Sequence, residues 1–192
     1  MFSVFEAYIH SMQTNLTAHD LVLVRDRVIE RKVRRRQLLL KEGEVSRHKI
    51  FVAKGLLRMY YVRPDGTEHI LRFAPENTWI MDHESYLYDR PSKYTIEALE
   101  DSEVLMWSKE ELEHLLATVP AFKAFSDKVM VNTLHANHER ILMNISYTSE
   151  EKYADFVASF PDVFRRVPLH MVAAYLGVSR ETLSRIRARD SA

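Results

Sequence analysis

The chain has 192 residues, 46% of them hydrophobic, with 27 basic and 27 acidic side chains and no cysteine. That is enough apolar material for one large or two small cores, and the missing cysteines exclude disulfides, thiolate-held iron–sulfur clusters and cysteine-ligated zinc. No run of about 18 apolar residues is present to span a bilayer. Residues 1–16 lack the basic-then-apolar order of a secretory signal, so a cytoplasmic location is expected.

Phe2, Phe5, Ile9 and Met12 recur at helical spacing and predict a short first helix. Leu16-Thr17 with Asp20 predicts a helix start, and 18–29 its body. The basic run 31–36, broken only by Val33, reads as a solvated strand edge. From 37 to 107 the pattern changes to short apolar runs at 37–41, 48–54, 56–63, 68–74, 94–99 and 103–107, separated by turn residues. Pro64-Asp65-Gly66 lies between two of them and predicts a hairpin turn. Short strands spaced 8–12 residues apart predict an antiparallel jelly roll.

Ser108 predicts a cap for a helix over 109–117. Residues 121–145 contain neither Gly nor Pro and predict one helix about 37 Å long, at about 1.5 Å per residue. Phe122, Phe125, Val129, Ala136 and Met143 form one stripe along it, and Val131, Leu134, Ile141 and Ile145 a second. A helix apolar on two faces needs two partners. The first is expected to be the barrel and the second the same helix of another copy. Thr148-Ser149-Glu150-Glu151 predicts a further helix to about Phe160, ended by Pro161.

The last thirty residues carry six Arg, no Lys, one Asp and one Glu, a net +4, so the rest of the chain carries −4. Within them, Val172, Ala173 and Leu176 recur at helical spacing and Gly177 stops that helix. Val178 plugs the turn, Ser179 suits an N-cap, and Leu183 and Ile186 face inward from a second helix. This is a helix-turn-helix pattern. With Leu183 and Ile186 inside, Glu181, Ser184 and Arg185 point outward and Arg180 projects from the N-terminal flank. Such a set suits a major groove: arginine forks onto guanine O6 and N7, and glutamate accepts from the cytosine amino group. Arg187 and Arg189 lie nearer the flanks and suit phosphates.

Lys54-Gly55-Leu56-Leu57-Arg58, Ile96-Glu97-Ala98-Leu99-Glu100 and 176–187 together resemble the catabolite-activator/FNR (Crp/Fnr) family of bacterial regulators over about 20–189. The chain looks closest to its Bacteroidetes-type, cyclic-nucleotide-binding-like members. The resemblance implies an α+β chain in which an N-terminal β jelly roll, cyclic-nucleotide-binding-like and cupin-like (a double-stranded β-helix), is joined by a long dimerisation helix to a C-terminal helix-turn-helix. The implied divisions are 1–119 for the effector domain with its N-terminal helices, 120–146 for the dimerisation helix and 147–192 for the DNA-binding module. The implied partners are double-stranded DNA with a two-fold operator, a second copy of the chain, an unidentified small-molecule effector and RNA polymerase. By the same resemblance Arg180, Glu181 and Arg185 match base-contacting positions, while Ser179 and Thr182 suit phosphates.

Two departures qualify the resemblance. Cyclic-nucleotide members carry a Gly-Glu pair and an Arg around the cyclic phosphate; aligned through Ile96-Glu97-Ala98, these positions hold Met81, Asp82 and Ser92. Arg90 falls two residues early, and Lys93 offers only a point charge. Cyclic AMP is therefore not expected to bind in the usual way, and Asp82, His83, Glu84, Ser92, Lys93, Tyr94 and Thr95 remain as candidate lining of an effector pocket. Only three residues follow Arg189, so no β-hairpin wing is expected. An enzyme on a cupin-like barrel would need clustered histidines. His69, His83 and Glu84 are the only candidates and make no close-spaced pair. His114, His135 and His138 read as solvated helix residues, no histidine is marked out for haem, and no metal or cofactor is expected. The remaining alternative is a cyclic-nucleotide or other small-ligand sensor without DNA binding.

Overall fold

A computed structural model describes residues 1–190; Ser191 and Ala192, at the end of the predicted DNA-binding module, lie outside the described residues. Eight strands of the described residues form two four-stranded sheets. They are β1 (Ile29–Val33), β2 (Leu38–Leu40), β3 (His48–Lys54), β4 (Leu57–Val62), β5 (Glu68–Ala74), β6 (Thr78–Ile80), β7 (Thr95–Ala98) and β8 (Ser102–Ser108). The orders β1-β8-β3-β6 and β2-β7-β4-β5 are those of a jelly roll, and the pairings β1–β8, β3–β8, β3–β6 and β2–β7 are antiparallel. The nine helices of the described residues are α1 (Phe2–Ser11), α2 (Ala18–Arg25), α3 (His83–Tyr88), α4 (Lys109–Thr118), α5 (Pro120–Ser146), α6 (Ser149–Ser159), α7 (Pro161–Arg166), α8 (Leu169–Leu176) and α9 (Arg180–Asp190).

The chain forms two compact units, Met1–Met59 with Phe73–Val131, and Tyr60–Arg72 with the chain from Asn132 onward. In the first unit, alternation along the strands builds two cores. Val33, Leu40, Ile50, Val52, Leu57, Ile80, Ile96, Val104 and Met106 fill the roll. Phe51, Ala53, Leu105 and Trp107 project from the other face of β3 and β8, against α1, α2, α4 and the first turns of α5. Phe5 sits at the centre of that outer core, its ring 5.0–6.0 Å from those of Phe51, Trp79, Trp107 and Phe125. Trp107 Nε1 donates to the Val24 carbonyl at 3.2 Å and fixes α2 to β8. β3 is therefore buried on both faces.

Several elements depart from the sequence reading. α2 stops at Arg25 rather than Ile29, because Ile29 is already paired with Met106 in β1. β6, α3 and α7 were not predicted. Pro161 does not merely end α6; it opens α7 from the first turn, where its missing N–H costs nothing. Pro168 precedes α8 as its N-cap. In the first stripe of α5, Phe122, Phe125, Val129 and Met143 are buried, whereas Ala136 is exposed. The predicted caps hold: Thr17 with Asp20 and Thr148 with Glu151 are reciprocal capping boxes, and the Ser108 hydroxyl accepts from the Glu111 amide.

Candidate nucleic-acid interface

The second unit gathers its core from α6 to α9. Tyr153, Phe156, Val163, Val172, Ala173, Leu176, Leu183 and Ile186 are all buried. Gly177 adopts φ +68°, the left-handed conformation that ends a helix. Its amide and that of Val178 both donate to the Ala173 carbonyl, closing the end of α8. Ser179 then caps α9: its hydroxyl accepts from the Thr182 amide at 3.1 Å and donates to the Thr182 hydroxyl at 3.0 Å. α9 is held by Leu183, fully buried, and Ile186, one turn on. Of these, Val172, Ala173, Leu176, Gly177, Val178, Ser179, Leu183 and Ile186 were legible as a helix-turn-helix.

The opposite face of α9 is open. Arg180, Glu181, Ser184, Arg185 and Ala188 line a shallow hollow along it. Arg180, Glu181, Ser184, Arg185, Arg187 and Arg189 are exposed, and Thr182 is half-buried. The Glu181 carboxyl is held below the usual carboxylate range, first by its own backbone amide, then by the Ser179 hydroxyl, with Arg180 adding its charge. It is thus an anionic acceptor at neutral pH. Arg185 takes part in no ion pair among the described residues. Arg189 lies 4.0 Å from Glu150, an exposed contact too long and too wet to hold it. The structure therefore brings four of the predicted DNA-contacting side chains, Arg180, Glu181, Ser184 and Arg185, onto one face of α9, leaves Ser179, Arg187 and Arg189 exposed, and half-buries Thr182.

Elsewhere in this unit, Arg140 of α5 lies 4.0 Å over the Tyr175 ring and donates to the Ile70 and Tyr175 carbonyls. Neither contact was foreseen, because a lone arginine in a long helix gives no signal of its partners.

The predicted effector residues are differently disposed. Asp82 caps α3, accepting from the Glu84 and Ser85 amides, and its other oxygen accepts from the Ser92 hydroxyl at 2.7 Å. Ser92 also accepts from the Tyr94 amide, and Thr95 accepts from the Glu42 amide. Asp82, Ser92 and Thr95 are buried in these bonds, Tyr94 is half-buried, and His83, Glu84 and Lys93 are exposed. The two positions matching the acid and the arginine of a cyclic-phosphate site are thus bonded to each other. The anion-attracting amides at the start of α3 already hold a carboxylate.

The motifs at 54–58 and 96–100 meet across the neighbouring strands β4 and β7. Arg58 of β4 pairs with Glu97 of β7 at 2.7 Å, both side chains nearly buried, and the Leu99 amide donates to the Leu56 carbonyl. Gly55, at φ +100°, packs directly on Ser102, where a Cβ would collide. These residues shape the barrel rather than offer a binding group.

A jelly roll followed by a long helix and an exposed-faced helix-turn-helix defines the architecture of a two-part regulator, a sensor-type β domain with a DNA-reading module. Residues 30–119 match the cyclic nucleotide-binding domain family. The fumarate and nitrate reduction regulatory protein of Vibrio cholerae is 27% identical over 177 residues, covering 85% of this chain and 70% of that one. FixK2 from Bradyrhizobium japonicum superposes with a TM-score of 0.72 at 19% identity, covering 84% of this chain and 83% of that one. The c-di-GMP-responsive global regulator CLP of Xanthomonas campestris gives 0.73 at 14% identity, covering 91% and 92%. The domain match, the relatives and the structural neighbours together support a Crp/Fnr family transcription regulator.

Proposed function

We propose that this regulator binds a two-fold DNA site as a homodimer, with α9 in the major groove, and that its β domain does not take cyclic AMP in the family's usual manner. The observation that carries the reading is the exposed row Arg180, Glu181, Ser184 and Arg185 on a helix whose other face is locked by Leu183 and Ile186. Arg180 and Arg185 donate to base edges or neighbouring phosphates, Glu181 selects by accepting from cytosine, and Ser179 with Thr182 sits at the backbone. Arg187 and Arg189 meet phosphates, so replacing either weakens all sequences alike and lowers the salt slope by roughly one.

The functional divisions are 1–119, 120–146 and 147–192, with α5 joining two copies through its second stripe. In support, Val131, Leu134, Ile141 and Ile145 are 49–78% exposed in the single chain. No helix of the described residues is long and apolar enough to cross a membrane, and a regulator of this kind works in the cytoplasm, where it meets DNA and RNA polymerase. The chain is not an enzyme. The Asp82–Ser92 bond argues against the cyclic phosphate, since an incoming anion would meet a buried carboxylate and no guanidinium. Any effector of the β domain is then of another chemical class.

Selection of genomic DNA fragments by the purified chain, at two salt concentrations, tests the reading. Recovery of one inverted-repeat motif, with half-sites about one helical turn apart, is expected; recovery of no motif would contradict it. Calorimetric titration with cyclic AMP should give no saturable heat, and a micromolar dissociation constant would overturn the second part.

A further inference from the structure

The exposed stripe of α5 has a finer pattern than apolarity. Positions 131, 134, 138, 141 and 145 are separated by three, four, three and four residues, the seam of a left-handed coiled coil. Val131, Leu134, Ile141 and Ile145 occupy four of them, and Met130 and Leu142, also about half exposed, flank the row. The fifth position, in the middle, is His138, and it too is exposed. Val131 and Ile145 at the first seam position with Leu134 at the second is the arrangement that favours two parallel strands, although Ile141 departs from it.

The direction of pairing follows from the chain. α6 to α9 follow the C-terminal end of α5, which is 27 residues and about 40 Å long. Two copies can present both reading helices to one duplex, about 34 Å apart, when their α5 helices run parallel about the two-fold axis. An antiparallel pair would send the two modules to opposite ends. In a parallel pair each seam residue meets its own counterpart, so His138 faces His138.

We propose that this His138 pair fixes the register of the dimer and makes it proton-sensitive: a second copy of this chain is the occupant of the stripe, and acid loosens it. The inference rests on the dimeric reading above. A polar residue at one central seam position costs stability but selects register and two-strandedness. Imidazole is the side chain that ordinarily changes charge between pH 5 and 8. Two imidazoliums face to face inside an apolar seam repel each other and lose water together.

The surrounding groups do not relieve this repulsion. The hole that receives His138 is made by Leu134, Asn137, His138 and Ile141 of the second copy, so the second imidazole is the titratable group within it. On the same helix, His135 flanks the seam and Glu139 follows on the outer side. Arg140 is turned onto Tyr175. Asp127, the next seam position toward the helix start, is paired with Lys123 at 2.8 Å. Carboxylates in general change charge near pH 4, below the range that matters here. Acidification therefore lowers occupancy of a two-fold DNA site by separating its two halves.

The experiment is sedimentation analysis of the full chain at pH 7.5 and 5.5 and constant salt, for the wild type, His138→Leu, His138→Asn and His135→Leu. Two facing charges weaken the wild-type dimer by roughly ten- to a hundred-fold on acidification. His138→Leu dimerises more tightly and moves less than about three-fold over the same range, by the same arithmetic. His138→Asn, which keeps a polar seam, dimerises and is equally insensitive to pH; it serves if the leucine variant misfolds. His135→Leu keeps the wild-type response. An acid response in His138→Leu or His138→Asn equal to that of the wild type overturns the proposal, as does a wild type with no response. If every variant is monomeric at both pH values, the dimeric reading itself falls, a separate and recognisable failure.

Discussion

Ile141→Asp separates the dimer seam from the fold. Ile141 is 58% exposed in the single chain, so a polar residue there leaves the monomer's core intact. Its effect on folding should stay within about 0.5 kcal/mol, as for other exposed sites. In the dimer the arithmetic differs. Covering a whole isoleucine side chain contributes about 1.5–3 kcal/mol. The uncovered part of Ile141 then contributes about 1–1.7 kcal/mol per chain, and a symmetric pair about 2–3 kcal/mol. Aspartate forfeits this and sets two carboxylates against each other, adding at least about 2 kcal/mol of unpaired desolvation. The sum exceeds about 4 kcal/mol, a roughly thousand-fold weaker dimer. Sedimentation velocity over a concentration series measures it, and circular dichroism checks the fold. An Ile141→Asp chain that is folded and still dimerises at wild-type strength would refute the reasoning.

Two further outcomes follow from the described geometry. Gly177→Ala places an L side chain at φ +68° with no atom within 4 Å of the new Cβ, so only backbone strain is felt: about 1–2 kcal/mol in thermal or chemical unfolding, and less for Gly177→Asn. Lys49 lies over the Trp79 ring at 4.8 Å, and burial pushes its amine down from 10.5 to about 8. Between about pH 8 and 10 the unfolded chain holds this proton more firmly than the folded one, so stability rises with pH there. Lys49→Met removes that rise. It also stabilises the fold at pH 7 by about 1 kcal/mol, the burial penalty being partly offset by the lost cation–π contact. Urea unfolding at pH 7.5 and 9.5 measures both; a pH slope unchanged by Lys49→Met would sink the assignment.

The elements that the sequence disclosed are those whose signals are local. Gly177, Ser179, Leu183 and Ile186 each have a chemical reason to stand where they do within a dozen residues, and the structure places them accordingly. The capping boxes at Thr17 and Thr148 are equally local. What escaped depends on distant neighbours. α3 is six residues long, and its best signal, Asp82 followed by Glu84, is common in loops. β6 is three residues held by β3, and its pairing to Val52 and Ile50 cannot be read from Thr78-Trp79-Ile80 alone. Ala136 fell on an apolar stripe by spacing but stays exposed. Asp82 and Ser92 stand ten residues apart, so sequence marked both as departures from a phosphate site without showing that they bond to each other.

The central claim is that α9 reads base sequence, and Arg185 is its sharpest test because it is exposed and faces away from Leu183 and Ile186. The measurement is a binding-site selection followed by affinity titration, on the wild type and Arg185→Ala, at one stated salt concentration. Loss of a guanine-directed fork should weaken binding to the selected site by about 1–3 kcal/mol and relax the preference at one position of each half-site, with thermal stability unchanged. An Arg185→Ala chain that selects the same motif with the same affinity would contradict the placement of this helix in the groove.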